Sequence, residues 1–143
     1  MSEHYAYSIK SNVYSKWGDV ALGGFQAVPD LLLRRQRELH LTSTDLVVLL
    51  NVLMHWWYAD SPPFPRPTAI ANRMGLNVRS VQRSVKDLET KGLIRRGHDL
   101  RGNSVLDPSG LVAKLREFAE TDVHFLARRE RMRESGHTNG AST

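Results

Sequence analysis

The side chains best suited to chemistry are long hydrogen-bond donors that recur at helical spacing near the middle of this 143-residue sequence. At about 100° per residue, four of them fall on one face of a helix: Arg79, Gln82, Arg83 and Lys86. Ser80 lies at the edge of that face. An arginine matches the O6 and N7 acceptors of guanine, and a glutamine matches N6 and N7 of adenine. The pattern predicts a helix that contacts base edges and phosphates of double-stranded DNA.

The opposite face of the same helix is apolar, with Val81, Val85 and Leu88. Asn77 is a suitable N-cap, because its side chain can accept a hydrogen bond from an early helical N–H. Asn77, Val78 and Ser80 are also predicted to belong to the DNA-binding residues of this helix. Val78 has two interpretations, packing inward or contacting a thymine methyl group. The helix as a whole also has an alternative interpretation, an ordinary amphipathic helix with a solvated basic face.

The residues before this helix supply what a helix-turn-helix requires. A short helix begins near Thr68, which is predicted to cap it and to place its hydroxyl near a phosphate. Small Ala71 allows two helices to approach closely. Gly75 permits a sharp turn through positive φ, and Val81 follows in the core of the second helix. Together these positions predict a helix-turn-helix.

A basic hairpin follows Gly92. Residues 93–96 are predicted to form a strand, 97–102 a glycine-bounded loop and 103–106 the return strand. We therefore expect a mainly α fold with a small β-hairpin wing, a winged helix-turn-helix. The predicted phosphate and wing contacts outside the second helix are Arg66, Thr68, Arg95, Arg96 and Arg101.

The excess positive charge is concentrated on this module. Between Arg66 and Arg101 there are nine Lys and Arg residues and three acids, a net charge of +6. The remaining chain has 11 basic and 12 acidic residues, a net charge of −1, and the whole chain has +5. This distribution is typical of a surface that binds a polyanion.

The segments before the module are predicted to build its core. A helix is expected at residues 29–39, and an almost wholly apolar core helix at residues 43–58. Trp56 and Trp57 at the end of that helix are interpreted as core residues, because aromatic side chains dominate core burial. Four prolines between residues 62 and 67 exclude a helix there and indicate a rigid linker.

The C-terminal part is predicted to form one helix over residues 109–134. Its first half is expected to seal the core, and its second half to form a homodimer interface through Val123, Phe125, Leu126 and Met132. The alternative is that this half folds back on Tyr5, Tyr7 or Trp17. The expected divisions are a partly flexible segment at 1–24, the winged helix-turn-helix at 25–108, the C-terminal helix, and a disordered tail at 135–143.

Composition argues against several other classes of protein. The chain has no cysteine, its six histidines are scattered, and we see no signal peptide, apolar run near 18 residues, phosphate loop or catalytic triad. We therefore expect no enzyme activity, no metal or cofactor, no membrane contact and a cytoplasmic location.

Residues 68–96 resemble the bacterial winged helix-turn-helix superfamily, in particular the runs at 79–83 and 88–94. The longer stretch from Val28 to Pro65 resembles small prokaryotic regulators. It is equally similar to the DNA-binding part of plasmid and phage replication initiators. The resemblance implies a sequence-specific transcriptional regulator, with a replication initiation or accessory protein as the alternative. A winged helix that binds another protein is a further alternative, against which the concentrated positive charge argues.

Overall fold

The computed structural model describes residues 11–138. Residues 11–17 are helical and lead into a 3₁₀ helix at Gly18–Gly23. The elements that follow are α1 (Asp30–Arg34), α2 (Ser43–Leu53), α3 (Pro67–Met74), α4 (Val78–Thr90), β1 (Arg95–His98), β2 (Ser104–Asp107), α5 (Ser109–Ala119) and α6 (Val123–Thr138). The predicted fold class is confirmed: a mainly helical winged helix-turn-helix with a two-stranded antiparallel wing.

Helix α2 is the central core element, as its apolar sequence predicts. The Thr42 hydroxyl caps it by accepting a hydrogen bond from the Asp45 N–H at 3.0 Å. Val48, Leu49 and Val52 are fully buried. They share one core with apolar residues from α1, α3, α4 and α5. The helix-turn-helix is therefore held against α2 by apolar burial.

Helix α2 ends at Leu53, five residues earlier than predicted. The N–H groups of His55 and Trp56 donate to carbonyls three residues back, which tightens and terminates the helix before the proline segment. The expectation that both tryptophans belong to the core is only partly correct. Trp56 is half-buried, whereas 78% of Trp57 is exposed.

Helix α1 covers only the first part of the predicted helix over residues 29–39. Beyond Arg34 the chain continues in turns, and the Leu41 N–H donates to the Gln36 carbonyl. Leu32 is fully buried, while Leu33 is exposed. A five-residue helix thus suffices to bring one leucine into the core.

Helix α3 begins at Pro67, so the predicted capping role of Thr68 is wrong. Proline suits the first helical position because its fixed φ is already helical and its missing N–H would have no intrahelical partner. Arg66 is the residue before the helix, and no side-chain capping bond is formed. Thr68 lies exposed in the first turn.

The first wing strand lies two residues later than predicted, and the second lies one residue later. Leu93 cannot join the ladder, because its N–H donates to Leu88 and its carbonyl accepts from the N–H of Leu111. The register pairs Arg95 with Asp107 and Gly97 with Val105. On the other side, the Leu106 N–H donates to the Pro63 carbonyl at 2.8 Å, which fastens the proline segment to the wing.

The predicted single C-terminal helix is two helices, α5 and α6, separated at residues 120–122. Asp122 causes the break, because its carboxylate accepts from the N–H of Phe125 and restarts the helix. Helix α6 continues to Thr138, so residues 135–138 are helical and not part of a disordered tail. Residues 139–143, Tyr5 and Tyr7 lie outside the described residues.

Candidate nucleic-acid interface

The turn between α3 and α4 has the geometry that its glycine predicts. Gly75 adopts φ 66°, in the left-handed region. The N–H of Leu76 donates to the Ala71 carbonyl at 3.0 Å, which closes the end of α3 in a Schellman arrangement. Ala71 and Val81 are buried where the two helices meet. These contacts set the angle at which α4 leaves the turn.

The N-terminus of α4 is capped as predicted. The Asn77 side-chain oxygen accepts a hydrogen bond from the Ser80 N–H at 2.8 Å. Val78 is half-buried and packs against the core, which favours the inward of its two interpretations. Ser80 is half-buried at the edge of the polar face.

The polar face of α4 consists of Arg79, Gln82, Arg83 and Lys86, and all four side chains are exposed. We call these residues the recognition face. Within residues 11–138, none of the four side chains makes a hydrogen bond or ion pair. Their donors are therefore available to a partner without breaking an internal contact.

Cations next to this face are, in contrast, engaged within the protein. Arg73 donates to the Asn51 side-chain oxygen at 3.3 Å and so ties α3 to α2. Burial, followed by the nearby Arg73 charge, lowers the pKa of His55. The imidazole is consequently neutral at pH 7 and does not add to the positive surface.

Lys91 anchors the C-terminal end of α4 through a contact that sequence analysis missed. Its Nζ lies 3.0 Å from Oδ2 of Asp45 and 2.6 Å from the carbonyl oxygen of His40. Asp45 is only 2% exposed, so it is a buried carboxylate that requires a cationic partner. No local pattern signals this pair, because the two residues are 46 positions apart.

The structure separates the two wing arginines that are neighbours in sequence. Successive side chains of a strand point to opposite faces. Nε of Arg96 lies 3.1 Å from a carboxylate oxygen of Glu89 at the end of α4, whereas Arg95 makes no ion pair among the described residues. Arg95 is thus the more available of the two for a phosphate.

The loop at the end of the wing is fixed by Asp99. Its carboxylate accepts hydrogen bonds from the N–H groups of Arg101 and Asn103, each at 2.9 Å, and from the Asn103 amide at 3.1 Å. The hydrogen bonds from Asn103, foremost its side-chain amide, lower the pKa of Asp99. Arg101 is exposed at this loop.

Two further predicted contact residues, Arg66 and Thr68, are exposed at the N-terminal end of α3. The candidate interface therefore has three parts, the recognition face, the start of α3 and the wing. The second helix of the motif provides the largest group of unpaired donors. DNA contact at each residue remains a prediction.

The predicted dimerisation residues lie on α6, whose side chains are mostly exposed, including Val123 at 76% and Met132 at 67%. They do not share one face. At 100° per residue, Val123 and Leu126 lie on one side of the helix, and Phe125 and Met132 lie on the other. Arg129 lies 5.3 Å over the Phe125 ring.

Two absences hold for residues 11–138. They contain no group of three His, Asp or Glu side chains that could hold a metal ion. No helix in this part of the chain is long and apolar enough to cross a membrane.

Comparison with known proteins places these features in a family. The family model of the DnaD N-terminal domain matches residues 28–108, more than half of the chain. The crystal structure of the N-terminal domain of DnaD protein from Geobacillus kaustophilus HTA426 is 26% identical with a TM-score of 0.52. That alignment covers 85% of this chain and 96% of that one.

A transcriptional regulator of the MarR family from Rhodococcus sp. RHA1 is 20% identical with a TM-score of 0.42, covering 99% of both chains. No curated protein matches the sequence. The family match spans the helix-turn-helix and the wing together, as the geometry requires. The chain therefore belongs to the DnaD N-terminal domain family and is a winged-helix DNA-binding protein.

Proposed function

We propose that this protein binds specific sites in double-stranded DNA through helix α4 and acts there as a transcriptional regulator. The observation that carries the proposal is the recognition face. Its four long side chains are exposed and make no internal polar contact among residues 11–138, while Arg73, Lys91 and Arg96 beside it are all engaged. Hydrogen-bond donors that are not used within the protein, on a helix with a fixed N-terminus, can bind the acceptor atoms of base edges and phosphates.

The elements around α4 support this mode of binding. The major groove admits one α-helix, and the residues flanking that helix then lie near the sugar-phosphate backbone. Arg66 and Thr68 are exposed at the start of α3, and Arg95 and Arg101 are exposed on the wing. By contacting phosphates, which carry no sequence information, these groups would fix the position of α4 along the duplex.

We also propose that the protein acts as a homodimer through α6. Helices of about 15 residues are marginal in water without tertiary packing. Helix α6 has 16 residues, and most of its described side chains are exposed. A dimer would cover its apolar groups and present two α4 helices to a two-fold site.

The DNA-binding proposal is tested by selecting bound sites from random double-stranded DNA and then measuring affinity for the selected site. The double variant Arg79→Ala/Arg83→Ala should lose roughly 1–3 kcal/mol for each bidentate base contact removed. Lys114→Ala is the matched control, since Lys114 is an exposed cation on α5 that makes no ion pair among the described residues. Equal affinity of wild type and double variant would contradict the proposal.

A role in replication is a second candidate. It is favoured by the resemblance of residues 28–65 to the DNA-binding part of plasmid and phage replication initiators. Both roles use the same DNA contacts, so the positions of bound sites in cells distinguish them. Occupancy upstream of genes supports regulation, and occupancy confined to a replication origin supports the second role. Absence of any DNA binding would favour the alternative that the winged helix binds a protein.

A further inference from the structure

The apex of the wing carries an apolar side chain in an unusual setting. Leu100 is fully exposed, between Asp99 and Arg101 in the loop that joins β1 to β2. It belongs neither to the core nor to the partly buried residues packed against the core. Leu100 therefore has no packing role within the described part of the molecule.

The loop that presents Leu100 is internally braced. Asp99 accepts three hydrogen bonds from Arg101 and Asn103, and the Gly102 N–H donates to the Asp99 carbonyl at 3.0 Å. Gly102 has φ 83°, a conformation that suits glycine in a tight turn. These hydrogen bonds fix the conformation of the loop and keep the Leu100 side chain exposed to solvent.

The base of the wing is attached on both sides. The ion pair between Arg96 and Glu89 connects β1 to α4, and the hydrogen bond from Leu106 to Pro63 connects β2 to the proline segment. The apex consequently has a defined position relative to the recognition face. If α4 lies in the major groove, we expect a wing attached in this way to lie beside the neighbouring backbone and minor groove.

The surroundings of Leu100 indicate what it would contact. Arg101 follows it directly. Arg95, which is exposed and makes no ion pair within residues 11–138, lies at the other end of the same hairpin. On one side of Leu100 is the cation Arg101, and on the other is the Asp99 carboxylate, which is engaged by three hydrogen bonds within the loop. An apolar tip with an adjacent cation complements a narrow groove with phosphates along its edges and sugars and base edges inside. The minor groove of DNA has this chemistry, and proteins insert leucine and arginine into it.

We propose that Leu100 enters the minor groove beside the site bound by α4, and that it makes the wing sensitive to base composition there. The inference rests on the proposed DNA binding. In the minor groove, G·C pairs carry the N2 amino group of guanine, which A·T pairs lack. This group stands in the space that an apolar side chain would fill, so Leu100 favours A·T pairs at the flank.

The first test measures affinity for a selected site at several salt concentrations. Leu100→Ala should weaken binding about tenfold with no change in salt slope, since apolar contact is lost and charge is retained. Arg101→Ala should lower the slope by about one counterion if its side chain contacts a phosphate. Leu100→Met, which retains apolar bulk, should remain close to wild type. Unchanged affinity of Leu100→Ala would overturn the inference.

The second test alters the minor groove alone. Inosine in place of guanine at the flank removes the N2 amino group, and diaminopurine in place of adenine adds one, while the major-groove hydrogen-bonding pattern is kept. Wild type should gain affinity with inosine and lose it with diaminopurine, and Leu100→Ala should respond to neither. An equal response of both proteins would overturn the inference.

The two proposals fail in different ways. If wild type binds no DNA, the proposed function fails. If Arg79→Ala/Arg83→Ala loses site-specific binding while Leu100→Ala behaves as wild type in both tests, the function stands and the minor-groove contact is rejected.

Discussion

Gly110 and Gly92 form a backbone contact that depends on the absence of a side chain. A Cβ added at Gly110 would overlap the carbonyl oxygen of Gly92 and lie 3.1 Å from its carbonyl carbon. The N–H of the neighbouring Leu111 donates a hydrogen bond to the carbonyl oxygen of Leu93 at 2.9 Å. The start of α5 thus packs directly on the turn that ends α4.

We predict that Gly110→Ala destabilises the protein by roughly 1–3 kcal/mol, because the backbone must shift to admit the methyl group. Urea unfolding followed by circular dichroism would measure the loss. Gly23→Ala is the matched control, since Gly23 has ordinary φ and no atom within 4 Å of the added Cβ. If Gly110→Ala and Gly23→Ala unfold with equal free energy, the close contact between Gly110 and the Gly92 carbonyl is contradicted.

Glu89 partly neutralises the positive charge of the wing that faces a DNA partner in the proposed complex. Its carboxylate holds Arg96 at 3.1 Å, and both side chains are partly exposed. Exposed ion pairs of this kind contribute little to stability, typically below about 1 kcal/mol.

Glu89→Gln should therefore raise affinity for DNA of any sequence severalfold, because it removes an anion and releases Arg96 towards phosphates. Fluorescence anisotropy with unrelated duplexes would measure the change. Glu117→Gln makes the same charge change at an exposed position on α5, outside the three parts of the candidate interface, and should have a smaller effect. Equal gains in both variants would show that only net charge matters.

At the scale of elements, Asp122 joins α6 to the rest of the protein. Its carboxylate accepts from the N–H of Phe125 at 2.9 Å and from Arg34 at 3.3 Å. The hydrogen bond from Phe125 contributes most to lowering the pKa of Asp122 below its ordinary value of 3.8. A lowered folded-state pKa means that the ionised carboxylate stabilises the fold above the unfolded value. This stabilisation is lost as the pH falls through the folded value.

We predict that Asp122→Asn is less stable than wild type at pH 6, and that the difference shrinks as the pH falls below about 3.8. The amide retains an oxygen that can cap α6, so the helix itself should persist. Urea unfolding at several pH values measures the difference. Asp60→Asn, at an exposed loop position, should match wild type throughout. If the difference in unfolding free energy between wild type and Asp122→Asn is the same at all pH values, the charge of the Asp122 carboxylate is not its cause.

At the scale of the whole molecule, we predict a dimer at micromolar concentration that depends on α6. Because the apolar residues of α6 lie on two sides, two double variants are needed: Val123→Glu/Leu126→Glu and Phe125→Glu/Met132→Glu. At least one should be monomeric by light scattering, since a buried unpaired carboxylate opposes association.

The control for the dimer experiment introduces the same charges at other exposed apolar positions. Val20 and Leu22 in the 3₁₀ helix are 77% and 75% exposed. If Val20→Glu/Leu22→Glu dissociates the dimer and both α6 variants remain dimeric, the interface lies in the N-terminal segment. A monomeric wild type would remove the dimer proposal altogether.

Much of the helix-turn-helix is determined by the sequence alone, because its signals are local. Asn77 caps the helix that directly follows it, Gly75 ends the helix that directly precedes it, and Val81 faces inward by helical periodicity. Each of these outcomes depends on residues within one or two turns. The recognition face follows from the same periodicity, and its contact with DNA remains a prediction.

The tertiary structure decided the features whose causes are distant in sequence. Lys91 neutralises Asp45 from 46 positions away, and Asp122 is held by Arg34, 88 positions away. The first wing strand begins late because the N–H and the carbonyl of Leu93 are already hydrogen-bonded to Leu88 of α4 and Leu111 of α5. Local patterns contain no information about such pairings. They form only when folding brings buried charges and unpaired backbone groups within reach of their partners.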